Sequence, residues 1–202
     1  MLLHEPSIRL TVFLAVLLVM AIWEAATPAR RREIPRLLRW SNNLALVAVD
    51  TLALRLLFPL AAVGLAVWAR AHGWGVLRGA PGWLAWPAAL LLLDLAIYAQ
   101  HVVFHAVPWL WRLHRLHHAD LEIDVTTGLR FHPGEILLSM GFKLALVLAL
   151  GPPPEAVLLF EVVLNAAAMF NHANLRLPAG LDRALRWLAV TPDMHRIHHS
   201  VV

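Results

Sequence analysis

Apolar residues fill this chain in blocks. Ile8–Ala26, Leu44–Trp68 and Trp83–Phe104 are nearly continuous hydrophobic runs, each long enough for the ~20 residues that an α-helix needs to cross a bilayer. Two shorter runs, Ile136–Leu150 and Ala156–Phe170, flank the turn sequence "GPPPE" at 151–155. At 1.5 Å of rise per residue these reach only about 22 Å, against a hydrocarbon core of ~30 Å. They predict a shallow or re-entrant helical hairpin with the Gly-Pro-Pro-Pro turn at its tip. The whole pattern predicts an all-α fold, a polytopic membrane helical bundle with about four membrane helices or hairpins.

The polar positions between the blocks set an orientation. "ARRREIPRLLRW" (29–40) carries five arginines and "RAHGWGVLRGAPG" (70–82) carries two. Positive charge stays in the cytoplasm, so the first loop is predicted inside and the second outside. Trp83–Phe104 then brings the chain back in, and the short hairpin leaves and returns. Residues 101–134 and 171–202 are thereby predicted on one face, the cytoplasmic one, as a cap. Arg30, Arg31 and Arg32 read as a stop-transfer flank, and "MLLHEPS" lacks the basic start of a cleavable signal. Asp50, Arg55, Asp94 and Lys143 fall within the apolar runs, where ionisable groups need partners. Asp50 with Arg55 is one candidate ion pair.

Composition narrows the chemistry. The chain is 60% hydrophobic and 15% charged, well below the ~25% charge of ordinary soluble domains. Its formal charge of +4 comes from sixteen Arg and a single Lys, and in so apolar a chain anionic lipid headgroups are a better counter-charge than nucleic acid. There is no cysteine. Disulfides, thiolate-bound zinc, iron–sulfur clusters and a Cys nucleophile are therefore excluded.

The two segments on the predicted common face hold ten of the twelve histidines. "HVVFH" stacks His101 and His105 at i and i+4 on one helix face. "HRLHH" places His114, His117 and His118 at i, i+3 and i+4, and "HRIHH" repeats this with His195, His198 and His199. Pro108 is expected to break the membrane helix ahead of the second cluster. His132 and His172 stand at the two feet of the hairpin, where each taken singly reads as a hydrogen-bonded core residue. Eight crowded imidazoles have no economy as packing, because protonation would make them repel. Metal binding resolves this, since neutral imidazole is a strong ligand. So many ligands suit two metals, and spacing leaves zinc, copper, iron and nickel open. Redox work with an open position for oxygen favours iron.

"DLAIYAQHVVFH", "HRLHHAD", "TTGLRFHPGE", "NHANLRLP" and "TPDMHRIHHS" together resemble the fatty acid hydroxylase / sterol desaturase superfamily of integral membrane di-iron oxygenases, over roughly Asp94 to Ser200. The resemblance implies that His101, His105, His114, His117, His118, His195, His198 and His199 are iron ligands, with His132 and His172 completing the set. It implies two iron ions, O2 as co-substrate, and hydroxylation or desaturation of a lipid such as a fatty acyl chain or sterol drawn from the bilayer. Electrons would come from a separate reductase, ferredoxin or cytochrome. Asp94, Tyr98, Asp120 and Asp193 become candidates for orienting the imidazoles, or equally caps and surface acids. The implied organisation is an N-terminal transmembrane hairpin over 1–80 and a histidine-box domain over 81–202, shortened at its C-terminus, because similar proteins continue past the last HxxHH. A catalytically impaired or fragmentary relative, and a His-rich metal-binding or transport membrane protein, are the alternative readings. The Arg- and Ala-rich bias suggests a bacterial inner membrane.

Overall fold

A computed structural model describes residues 4–200; Val201 and Val202, the end of the expected second domain, lie outside them. The described chain is all helical: α1 (Glu5–Ala26), α2 (Arg36–Leu57), α3 (Ala61–Ala71), α4 (Gly82–Ala106), α5 (Pro108–His118), α6 (Pro133–Leu150), α7 (Pro154–His172), α8 (Ala179–Leu185) and α9 (Pro192–His199), with a 3-10 turn at Thr127–Leu129. Five of its helical stretches are long and apolar enough to cross a membrane, and the chain is an integral membrane protein.

The helices run past their hydrophobic runs, and the hairpin shows the consequence. α6 has 18 residues and α7 has 19, about 27 and 28 Å long at 1.5 Å per residue, so neither is too short to span. Polar ends supply the extra turns. Pro133 sits at the start of α6, where its missing N–H costs nothing, and His132 Nδ1 accepts the Gly134 N–H as the cap. The expected span Leu44–Trp68 lies within the candidate span Arg36–Ala71, but its helix is interrupted at Pro59. Pro59 has no N–H to give and its ring crowds the preceding turn, so α2 stops at Leu57 and α3 restarts at Ala61, whose φ is +48°. Pro108 separates α4 from α5 as the sequence predicts.

The chain divides into two compact units. One is built chiefly from Val49–His114 and Phe131–Glu161. Its core is a close packing of small side chains: Ala62, Ala66 and Ala69 of α3 and Ala85 and Ala89 of α4 are buried with Leu93 and Val147. Small residues let membrane helices approach closely. The turn after α3 meets the α6–α7 turn backbone to backbone, with Val76 N–H donating to Ala149 O (3.1 Å) and Leu77 N–H to Leu150 O (2.8 Å). Gly75 (φ +93°) and Gly151 (φ +58°) make this contact possible, since a Cβ on Gly75 would lie 2.1 Å from Gly151 N. Lys143 of α6 finds its partner on α7, Glu161 at 2.7 Å. Asp50 and Arg55 form no ion pair among the described residues. Asp50 is buried and its Oδ1 accepts no hydrogen bond.

The other unit comprises Pro6–Ala48, Arg115–Arg130 and the chain from Val162 onward. Val125, Leu129 and Met169 form its apolar centre, packed by Phe13, Leu17, Met20, Trp40 and Leu44. Around it lies a buried polar web. The Glu24 carboxylate accepts the backbone N–H groups of Val125 and Asn174, both at 2.7 Å, and the Arg32 guanidinium at 2.7 Å. Arg39 bridges Asp120 (2.8 Å) and Asp124 (2.7 Å). Asn43 donates to the Thr126 hydroxyl and accepts from Arg130. The polar first turns of α2 are thus satisfied, which is why this helix begins at Arg36 rather than at Leu44. Arg32, Arg36 and Arg39 belong to this web, so the basic loop is more than a stop-transfer flank. Farther on, hydrogen bonds from Thr191 first and Arg186 second hold the Asp182 carboxyl below the usual carboxylate range. The stabilisation this gives is present at neutral pH and is lost as pH falls through the lowered value.

Two substitutions test these joints. Glu24→Ala leaves two buried N–H groups and an arginine without their acceptor and is expected to cost about 3–5 kcal/mol. Gly75→Ala meets backbone rather than a movable side chain and is expected to cost at least about 2 kcal/mol. Thermal unfolding in detergent measures both, and Tm values equal to the parent's would contradict these joints.

Candidate metal centre

Helix phase aligns the histidines. α5 is one helix from Pro108 to His118, so its three histidines share a face, and α9 does the same for His195, His198 and His199. α9 is started by Thr191, whose hydroxyl accepts the Met194 N–H, with Pro192 in its first turn. α7 ends on His172.

In the first unit the rings of His101, His105 and His114 lie 4.7–4.8 Å apart, centroid to centroid. His114 Nδ1 is 2.7 Å from the Glu135 carboxylate, and both side chains are buried. A carboxylate only accepts, so Nδ1 carries a proton and the ring is held with Nε2 turned away from Glu135. Glu135, two residues after a proline in the first turn of an apolar helix, is a site residue that the sequence analysis missed.

The second unit holds six histidines. Ligand nitrogens of His117, His172, His195 and His199 all lie within 4.8 Å of one another, and so do those of His118, His198 and His199. The contacts of the first group run in a chain. His117 Nε2 is 2.9 Å from His172 Nε2, which is 2.8 Å from His195 Nε2, which is 3.1 Å from His199 Nε2. The His118 ring stacks on His199, with centroids 4.2 Å apart.

Tautomers decide what these contacts mean. His117 Nδ1–H donates to the Arg130 carbonyl at 3.1 Å, and His172 Nδ1–H donates to the Ala168 carbonyl at 2.7 Å. Carbonyls have no proton to give, so both rings are protonated on Nδ1. With Nδ1 so committed, the two Nε2 atoms face each other in a buried setting, and the contact needs either a shared proton or a metal ion between them. Metal–imidazole bonds of about 2.0–2.1 Å place neighbouring ligand nitrogens roughly 3 Å apart, the spacing found. The donor set is imidazole throughout, and backbone carbonyls hold the rings as metal-binding histidines are commonly held. These residues fit a metal.

The remaining candidates fall elsewhere. His132 uses Nδ1 as a helix-cap acceptor and joins no converging group of ligand nitrogens among the described residues. Asp94 and Tyr98 are exposed. Asp120 serves Arg39 and Thr127, and Asp193 pairs with Arg196. No hydrogen bond joins any of these four to a histidine among the described residues.

Comparison with known proteins adds an identity to this geometry. An ornithine lipid hydroxylase, OlsE, of Rhizobium tropici is 29% identical over 123 residues, which cover 58% of this chain and 36% of that protein. Cholesterol 25-hydroxylase of Rattus norvegicus is 30% identical over 114 residues, 55% of this chain and 38% of its own. Alkylglycerol monooxygenase of Xenopus tropicalis is 28% identical over 116 residues, 57% of this chain and 25% of its own. The match therefore spans well under half the length of each relative. No solved structure matches the chain significantly. The fatty acid hydroxylase family model matches residues 86–202, more than half of the chain and the whole of its histidine-rich part, and the chain belongs to that family.

Proposed function

We propose that this protein is a membrane oxygenase that inserts one oxygen atom of O2 into a C–H bond of a lipid, with a di-iron centre held by His101, His105, His114, His117, His118, His172, His195, His198 and His199. His132 keeps its place as the α6 cap. The reaction balances as R–H + O2 + 2 e⁻ + 2 H⁺ → R–OH + H2O, and the bound irons supply the activation of O2. The chain's own groups then have defined tasks. Arg130 and Ala168, through their carbonyls, and Glu135, through its carboxylate, fix the proton of three imidazoles on Nδ1, which keeps Nε2 basic and aimed. The apolar helices bring lipid: outward-facing Leu10, Leu14 and Leu18 on α1 and Leu91 and Leu95 on α4 are all more than half exposed.

The observation that carries this reading is the convergence of four imidazoles, His117, His172, His195 and His199, on ligand nitrogens within 4.8 Å of one another, in a chain of the fatty acid hydroxylase family. Relatives named as hydroxylating ornithine lipid and cholesterol support lipid as the substrate class. The two electrons are proposed to come from a separate reductase, ferredoxin or cytochrome. The arginine distribution supports a cytoplasmic histidine face, and composition supports a bacterial inner membrane. Residues 81–202 are proposed as the catalytic domain and 1–80 as its membrane hairpin.

Elemental analysis of detergent-purified protein from iron-replete cells tests the centre directly. Two irons per chain are expected, with no haem absorption; a haem spectrum or a single zinc would overturn the reading. His172→Ala removes a nitrogen shared by two short contacts and is expected to lower bound iron at least about two-fold. Glu135→Ala keeps every proposed ligand but frees the His114 tautomer, and a 10–100-fold loss of metal affinity is expected from such orienting groups. Affinity unchanged in both variants would contradict the ligand assignment.

A further inference from the structure

α8 and the turn after it, 179–190, have two unlike faces. Asp182 turns inward and is buried. Leu181, Ala184, Trp187 and Leu188 turn outward at i, i+3, i+6 and i+7, and Trp187 and Leu188 are each 88% exposed. Val190 adds to the same outward surface. The charge here is basic: Arg176, Arg183 and Arg186 are exposed, and the one acid of the stretch, Asp182, is already bonded to Arg186.

Position and composition name what covers this surface. α7 is an apolar helix long enough to span a bilayer and ends at His172, so α8 begins only seven residues beyond a membrane segment. Tryptophan favours the headgroup level, where its ring meets chain and water together. Arginines lay their stems along apolar surface and raise the guanidinium to lipid phosphates. A short element with Trp and Leu outermost and Arg at its flanks therefore suits a lipid monolayer. A second copy of the chain would have to bury these arginines against each other.

We propose that residues 179–190 lie in the headgroup–acyl boundary of the bilayer, with Trp187 and Leu188 inserted and Arg183 and Arg186 on anionic phosphates. Thr191 follows at once and caps α9, so His195, His198 and His199 start one turn from a bilayer contact. The third histidine group is thereby held at the surface from which a lipid substrate would come.

The absence of cysteine makes the test clean. Leu188→Cys in the full chain gives a unique attachment point for an environment-sensitive fluorophore, at a position too exposed to disturb folding. The labelled protein is placed in nanodiscs of phosphatidylcholine, with or without phosphatidylglycerol. The expected result is a blue shift relative to the free dye and loss of most emission with lipids carrying a nitroxide near the headgroup. Aqueous iodide is expected to change it little. Emission at the free-dye wavelength with iodide quenching would place the segment in water and overturn the proposal. A blue shift without nitroxide quenching would also overturn it, since the cover would then be protein, a second copy or a partner. Neither outcome bears on the metal centre.

Discussion

Two imidazole nitrogens 2.9 Å apart in a buried site need a proton or a metal ion between them, and much of the surrounding structure serves to bring these two together. The proton of His117 is committed to Arg130 O and that of His172 to Ala168 O, so neither ring can relieve the contact by changing tautomer. The backbone that carries those carbonyls must therefore be stiff. Ala168 lies within α7, one turn before His172, and its carbonyl is fixed by the helix itself. Arg130 lies in a loop and needs other support, which its own side chain gives by donating to Leu116 O and Asn43.

That support reaches back into a part of the chain outside the matched family region. Glu24 on α1 holds the N–H of Val125, in the loop that leads from α5 to Arg130, and the N–H of Asn174, two residues after His172. Arg39 and Asn43 on α2 hold Asp120, Asp124 and Thr126 in the same loop. Buried charges are tolerable only when paired and hydrogen-bonded, and here the pairing partners are the loops beside the histidines. The N-terminal helices of this unit thus set the geometry of the site as well as anchoring it.

The grouping of the histidines was legible because periodicity is a property of local sequence: i, i+3 and i+4 share a helix face whatever surrounds them. Pro108 was legible for the same reason, since its effect is confined to one turn. Pro59 was equally visible but lay inside an unbroken apolar run, where hydropathy outvoted it. Helix ends were misjudged wherever polar residues continue a helix, as at Arg36–Asn43 and Pro133–Glu135, because their satisfaction depends on partners far away in the chain. Glu135 escaped notice on those grounds, as a lone acid in a helix start. Asp94 and Tyr98 drew attention by their spacing from His101, but helical spacing does not make a side chain face inward, and both are exposed.

Sequence alone determined that this protein is helical, that it lives in a membrane, and that it gathers imidazoles, since each follows from composition or from a period of three to four residues. Only the tertiary structure decided which imidazoles meet, which nitrogen each presents and which acids serve arginines instead of histidines. Many of those choices depend on contacts far apart in the chain, up to the 150 positions that separate Glu24 from Asn174. A helix period cannot carry that information, because it repeats along one element and says nothing about what that element is packed against.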